Sequence, residues 1–242
     1  DPSAISAFEA AAAKSTDAQE LNTDILVVGL GAAGTTAALS AAETLSEKNP
    51  SDVSVLAIDK AGRYGGASSL CAGVFAVNPQ GLAAKYNDGN DFTDRDALLA
   101  DWLDYVEGDA KPEMIELLLD ESGNTLDWLV EDYGLELEKP QTGLTEADSN
   151  VVLFSYAPSK EGMTVRRQHN IQFYDRCMEK FTEMGGQIML ETEAYDLILE
   201  NGSIAGVKAR STADGTEYII HAQKVIMGTG GFLSNSEMTT KY

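Results

Sequence analysis

Residues Asp24 to Gly34 constrain this chain more than any other stretch. Asp24-Ile25-Leu26-Val27-Val28 is an apolar run of strand length that ends in Gly29-Leu30-Gly31-Ala32-Ala33-Gly34, and an alanine-rich run of helical pattern follows. Strand, glycine turn and helix in that order predict the opening of a parallel α/β unit. Gly29 permits the tight turn, Gly31 leaves room for backbone N–H groups to approach a diphosphate, and Gly34 lets the helix pack close to the strand. The helix N-terminus adds unpaired N–H groups and the positive end of its dipole. A second apolar strand, Val53 to Ile58, ends in Asp59, where a carboxylate can accept from ribose hydroxyls. The acid follows somewhat later than the usual roughly 20 residues. A longer helix and the loop Glu47-Lys48-Asn49-Pro50-Ser51-Asp52 take up the surplus. The stretch is a predicted dinucleotide site.

Composition narrows the partners. A net charge of −22 repels nucleic acid and acidic membrane surfaces alike, so neither is an expected partner. With 43% hydrophobic residues the chain can bury a core. No run approaches the roughly 18 apolar residues of a membrane helix, so no membrane span is expected. The composition is that of a soluble protein, and the compartment stays open. Cys71 and Cys177 lack metal-site spacing and have only His169 and His221 for company, so no metal is expected.

Residues 1–22 read as an arm or linker, with a helix through Phe8 to Lys14, and 23–242 as one domain. A helix is expected from Gly31 to about Leu45, where Ala33, Ala37, Ala38, Ala41 and Ala42 suit close packing on a sheet. Lys60 to Ala76 is a second glycine and serine cluster that offers amides and hydroxyls to phosphates or a flat ring. Helices are predicted from an N-cap at Thr93 to about Val106, from Pro112 to about Leu119, and from Asn124 to Tyr133 with Gly134 as the stop. Their apolar positions Leu98, Leu99, Trp102, Leu103, Ile115, Leu118, Leu126 and Leu129 read as core. Glu136 to Gly162 shows no period and reads as an excursion. A helix over Ile171 to Met184 and a strand over Gln187 to Glu191 follow. Tyr195 to Leu199, Ile204 to Arg210 and Thr216 to His221, joined at Asn201-Gly202 and Asp214-Gly215, predict a three-stranded meander inserted before a returning strand, Lys224 to Met227. Asn201-Gly202-Ser203 also matches a glycosylation sequon, but the hairpin turn accounts for it. Gly228-Thr229-Gly230-Gly231-Phe232 is a further glycine turn where backbone approaches something closely.

Three motifs are specific in combination: Val28-Gly29-Leu30-Gly31-Ala32-Ala33-Gly34; Ile58-Asp59-Lys60 followed by Gly65-Gly66-Ala67-Ser68; and Lys224-Val225-Ile226-Met227-Gly228-Thr229-Gly230-Gly231-Phe232 with Asn235 behind it. Over residues 24–242 the chain resembles the FAD-dependent flavoprotein family of fumarate reductases and succinate dehydrogenases. The resemblance is to the branch with flavocytochrome fumarate reductases, urocanate reductases and ketosteroid dehydrogenases. It implies a Rossmann-like α/β fold with a central parallel sheet, the inserted meander and a helical excursion, and FAD as cofactor. It places Ala33 and Gly34 at the diphosphate, Asp59 at the adenosine ribose, Ala67 and Ser68 at the phosphates, Gly73 and Val74 at the flavin edge, and the Ala194 backbone at the adenine. Gly29, Gly31, Lys60, Gly66, Thr229 and Gly230 complete the expected cofactor set. The family usually has Glu at the position of Asp59, and often Asn where Ala67 and Ala76 stand. Arg166 and Arg167 read as surface or cofactor-adjacent cations, the alternative being that they face an anionic substrate.

The resemblance implies reduction or formation of an activated carbon–carbon double bond in a small unsaturated carboxylate or enone. It also implies that this chain is an N-terminal portion of an FAD-dependent oxidoreductase, without the capping domain and the return segment and inactive by itself. No catalytic acid or base is nominated, and the electron donor is open. The alternative is a non-catalytic dinucleotide-binding module or subunit that needs a partner chain.

Overall fold

A computed structural model describes residues 18–49, 53–142, 151–158, 161–233 and 235–241. The expected helix at Phe8 to Lys14 lies outside them. In chain order the elements are β1 (Gln19–Val28), α1 (Ala32–Lys48), β2 (Val55–Ile58), a 3₁₀ turn (Gly66–Leu70), β3 (Gly73–Phe75), α2 (Gln80–Tyr86), α3 (Arg95–Val106), α4 (Pro112–Glu131), β4 (Gln141–Thr142), β5 (Val152–Ser155), α5 (Met163–Glu183), β6 (Gln187–Met189), β7 (Thr192–Glu200), β8 (Ser203–Ser211), β9 (Glu217–Met227) and α6 (Ser236–Lys241). They divide into two compact units: the chain up to Ser69 together with Tyr174 onward, and Leu70 to Phe173.

The first unit is a six-stranded sheet in the order β6-β2-β1-β9-β8-β7. Neighbours from β6 to β9 are parallel, whereas β9, β8 and β7 run antiparallel. The expected α/β class, with a mostly parallel sheet and an antiparallel meander, is what forms. Register brings four strand ends into line: Val28 faces Ile58 on one side and Met227 on the other, and Ile58 faces Met189. Leu26, Val28, Leu56 and Ile58 share a core with Val207, Ala209, Ile220 and Ala222. Each large apolar side chain removed from water there contributes about 1.5–3 kcal/mol. α1 buries Gly34, Thr35, Ala38, Leu39 and Ala42, mostly small residues that allow a close approach.

Three expectations change, two in this unit and one on the part of α5 that belongs to the second. β1 begins at Gln19, so Gln19 to Asn22 are strand rather than arm; they pair with Tyr218 to His221 of β9. The third meander strand and the returning strand are one continuous element, β9, antiparallel to β8 and parallel to β1. Gln223 does not break it, because its side-chain amide donates to the Asp24 carboxylate across the pair. α5 starts at Met163, not Ile171, so that Val165 to Asn170 are helical.

The second unit packs α3 on α4 around Val77, Leu98, Ile115 and Leu119. Phe75 stacks on Trp102 at 5.2 Å between ring centroids. The two helices predicted at Pro112 to Leu119 and Asn124 to Tyr133 are one, α4. Ser122-Gly123-Asn124 looks like a break, but Gly123 lies where a Cβ would be 2.1 Å from the Val77 carbonyl oxygen, and the Ser122 hydroxyl accepts from Val77 N–H at 3.0 Å. The N-cap of α3 is Asp94, not Thr93; its carboxylate accepts from the N–H groups of Asp96 and Ala97. Leu118 is not core: it is 44% exposed, beside exposed Met114 and Leu117. Within the expected excursion β5 pairs antiparallel with β3 and β4, a small sheet whose strands are too short to show a period. Residues 143–150 and 159–160 of that excursion lie outside the described set.

Candidate cofactor site

The site of the first unit is assembled from backbone. Gly29 has φ +92, and a Cβ on it would lie 2.6 Å from the Gly228 carbonyl oxygen. A Cβ on Gly34 would lie 1.7 Å from the Gly29 carbonyl oxygen. Gly29, Gly34 and Gly228 therefore meet backbone to backbone, and α1 starts hard against the ends of β1 and β9. Two hydrogen bonds lock the meeting: Gly29 N–H to the Ile58 carbonyl at 2.7 Å and Gly228 N–H to the Val28 carbonyl at 2.8 Å. Gly31, Gly230 and Gly231 differ, because a Cβ on any of them would meet no heavy atom within 4 Å. These three face open space.

That space is a cleft of about 610 Å³ across the aligned strand ends. Of the residues expected to hold a cofactor, Gly29, Gly31, Ala33, Asp59, Lys60, Gly66, Ala67, Ser68, Ala194, Thr229 and Gly230 line it. Gly34 does not; it is buried beneath, where it sets the helix. Gly73 and Val74 belong to the second unit, in β3, paired with Ser155 and Phe154. The Asp59 carboxylate accepts from Leu30 N–H at 2.6 Å and from Ala61 N–H at 2.8 Å, so it braces the glycine turn from β2. Each of its oxygens keeps further acceptor capacity toward the cleft. Ser68 reaches the first turn of α1, where its hydroxyl accepts from Ala32 N–H at 2.9 Å. Gly31, the N-cap of that helix, supplies no side-chain cap itself.

Sequence reasoning missed Thr192 and Glu193, which line the cleft beside Ala194. They open β7, where no motif surrounds them; the one available signal was their place between a parallel strand end and Ala194. Arg166 is half-buried and Arg167 exposed on the part of α5 that belongs to the second unit. A second hollow, about 380 Å³, lies toward the N-terminal end of β1 among Asn22, Thr23, Asp24 and Gln223. Its polar groups bind one another: Thr23 donates to the Ser54 carbonyl, and Asp24 N–H to the Ser54 hydroxyl.

Comparison with known proteins settles the family. The model of the FAD binding domain family matches residues 24–241. The chain belongs to this family. Among curated relatives, this FAD binding domain is 33% identical to the vinyl phenol reductase of Lactiplantibacillus plantarum over 220 residues, 90% of the chain and 40% of the relative. It is 30% identical to the urocanate reductase of Eggerthella lenta over 223 residues, 90% of the chain and 33% of the relative. The chain thus spans less than half the length of these relatives. Among solved structures it shares its fold with a 3-ketosteroid-Δ4-(5α)-dehydrogenase from Rhodococcus jostii, with TM-score 0.72 and 18% identity over 95% of this chain and 50% of that one. It also shares it with the open conformation of a flavocytochrome c3 fumarate reductase, with TM-score 0.68 and 24% identity over 100% of this chain and 38% of that one.

The cleft of this FAD binding domain fits its cofactor chemically. Three glycines leave a cradle without side chains, a helix N-terminus points N–H groups at it, and a carboxylate stands at the end of the neighbouring strand. No helix among the described residues is long and apolar enough to cross a membrane.

Proposed function

We propose that the protein carrying this FAD binding domain is an oxidoreductase that reduces, or forms, an activated carbon–carbon double bond in a small unsaturated carboxylate or enone. One observation carries the reading: a glycine-backbone cleft at the strand ends, in a chain whose relatives are named as vinyl phenol and urocanate reductases. FAD supplies the hydride chemistry when bound. The residues of this chain bind and orient. Gly31, Ala33 and the first turn of α1 meet the diphosphate, with Gly66, Ala67 and Ser68 on its other side. Asp59 accepts from the ribose, Lys60 adds positive charge nearby, the backbone at Ala194 meets the adenine, and Thr229 and Gly230 close the floor. For Gly73 and Val74 the flavin assignment rests on resemblance. We assign no catalytic acid or base among these residues.

The test is the visible absorption spectrum of the purified protein, before and after denaturation, with the released ligand weighed by mass spectrometry. Flavin bands and released FAD are expected. A colourless protein that takes up neither FAD nor ADP would overturn the cofactor site. Dye-driven loss of alkene absorbance over a panel of vinyl phenols, urocanate and fumarate, with the full-length protein that carries this domain, then tests the reaction class; no turnover of any activated alkene by that FAD-loaded full-length protein would overturn it.

A further inference from the structure

We infer that Tyr174 is a positioning residue for the diphosphate, acting through Ser68 to clasp the 3₁₀ turn to the N-terminus of α1. The inference rests on the FAD reading above. Tyr174 is 4% exposed, and its hydroxyl lies 2.8 Å from Ser68 Oγ. Ser68 Oγ has two more partners, Ala32 N–H at 2.9 Å and the Gly65 carbonyl at 2.6 Å. A serine hydroxyl carries one proton and two lone pairs. The Gly65 carbonyl can only accept, so the Ser68 proton goes there; Ala32 N–H can only donate, so it takes one lone pair. Tyr174 must therefore donate to the other, and the Ser68 hydroxyl has one permitted orientation.

The consequence is a built N-cap supplied from outside the helix. Gly31 cannot cap α1, and Ser68 does so from the 3₁₀ turn, at the place where the two glycine loops touch: a Cβ on Gly66 would sit 3.4 Å from the Gly31 Cα. The Tyr174 ring is seated for this task, because a Cβ on Gly65 would lie 2.8 Å from its Cδ2. With Ala32 N–H held by Ser68, Ala33 N–H of the same first turn stands next in line for an anion. The clasp fixes the separation of the two loops before a diphosphate arrives, which lowers the cost of ordering them on binding.

The experiment titrates the protein, stripped of bound nucleotide, with ADP, FAD and adenosine, as wild type, Tyr174→Phe, Ser68→Ala and the double variant. Loss of one hydroxyl bond is expected to weaken ADP and FAD about five-fold in Tyr174→Phe, leaving adenosine unchanged. The double variant is expected to bind no worse than Ser68→Ala, since Tyr174 acts through that hydroxyl. Unchanged ADP binding in Tyr174→Phe, additive losses, or an equal loss for adenosine would each overturn the inference and leave the FAD reading standing. A wild-type protein that binds neither ADP nor FAD would overturn both. Should Tyr174→Phe fail to fold, Ser68→Thr, which keeps a hydroxyl, must retain ADP affinity while Ser68→Ala loses it; equal affinities would overturn the clasp.

Discussion

Gly34 and Gly123 do the same mechanical work in the two units. Each sits in a helix and lets it press on a carbonyl oxygen, Gly29 in one case and Val77 in the other, to distances that no side chain allows. The surroundings differ. Gly34 meets Gly29 and Gly228, so three backbones touch with no side chain between them. Gly123 is a single glycine pressed on the backbone of Val77 and Asn78, beside the Ser122 hydroxyl and in the unit whose core is Val77, Leu98, Ile115 and Leu119. A joint made of backbone alone leaves N–H groups and space for a ligand but offers nothing to repack. A joint with one glycine and side chains on its flanks has more that can repack.

The largest effect that sharpens this contrast is Gly34→Ala. Its Cβ would fall 1.7 Å from the Gly29 oxygen, and the expected loss is more than about 3 kcal/mol with loss of nucleotide binding, read by denaturant unfolding and ADP titration. Gly31→Ala is the control: with open space around its Cβ it should keep stability and lose ADP affinity. In the second unit, Leu119→Ala should cost about 2–5 kcal/mol, because Leu119 is 1% exposed. Leu118→Ala, one residue away, should stay within about 0.5 kcal/mol. Equal losses for the two leucines would break the account of which face of α4 is buried. Gly123→Ala should cost about 1–3 kcal/mol, less than Gly34→Ala, because its Cβ would lie 2.1 Å from a carbonyl oxygen where that of Gly34→Ala would lie at 1.7 Å. A larger loss at Gly123 than at Gly34 would reverse the comparison.

The smallest effect concerns the cysteines, which also divide between the units. Cys71 is exposed in the second, and Cys177 is buried in the first. Burial pushes the Cys177 thiol up to about 12, against the lowering influence of Arg176 and Lys180. Between the ordinary value of 9.0 and about 12 the unfolded chain gives up this proton and the native chain keeps it, so stability falls as pH rises through that window. Cys177→Ala should flatten the alkaline limb of a stability–pH curve, and a thiol reagent should modify Cys71 alone until the protein unfolds. Modification of both thiols in the folded protein would contradict the burial.

What was legible follows the same division. The glycine turn and Asp59 could be read because each position answers to a backbone constraint that few residue types satisfy. The Asn201-Gly202 hairpin was equally plain, since both residues adopt positive φ, 51° and 80°. Gly123 misled because a glycine inside a helical pattern has two readings, a stop or a close approach, and the partner that decides, Val77, lies far back in sequence. Leu118 misled because helical spacing marks apolar stripes without saying which one is covered. The small sheet of β3, β4 and β5 offered strands of two to four residues, too short for alternation to register. In the site, Glu193 and Tyr174 escaped because they reach it through tertiary packing, not through a motif.

The pairing of β1 with β9 also sets an order of assembly. Gln19 pairs with Tyr218 and Val28 with Met227, and the half of β1 before Asp24 has β9 as its sheet partner. During synthesis β1 thus waits for β9, which leaves the ribosome on the order of 10–40 s later at roughly 5–20 residues per second. Until then β1 carries an open apolar edge, the kind of surface that recruits other chains. Its folding rate is governed by this long-range closure more than by any local preference, and chaperone dependence should track the time for which β1 waits.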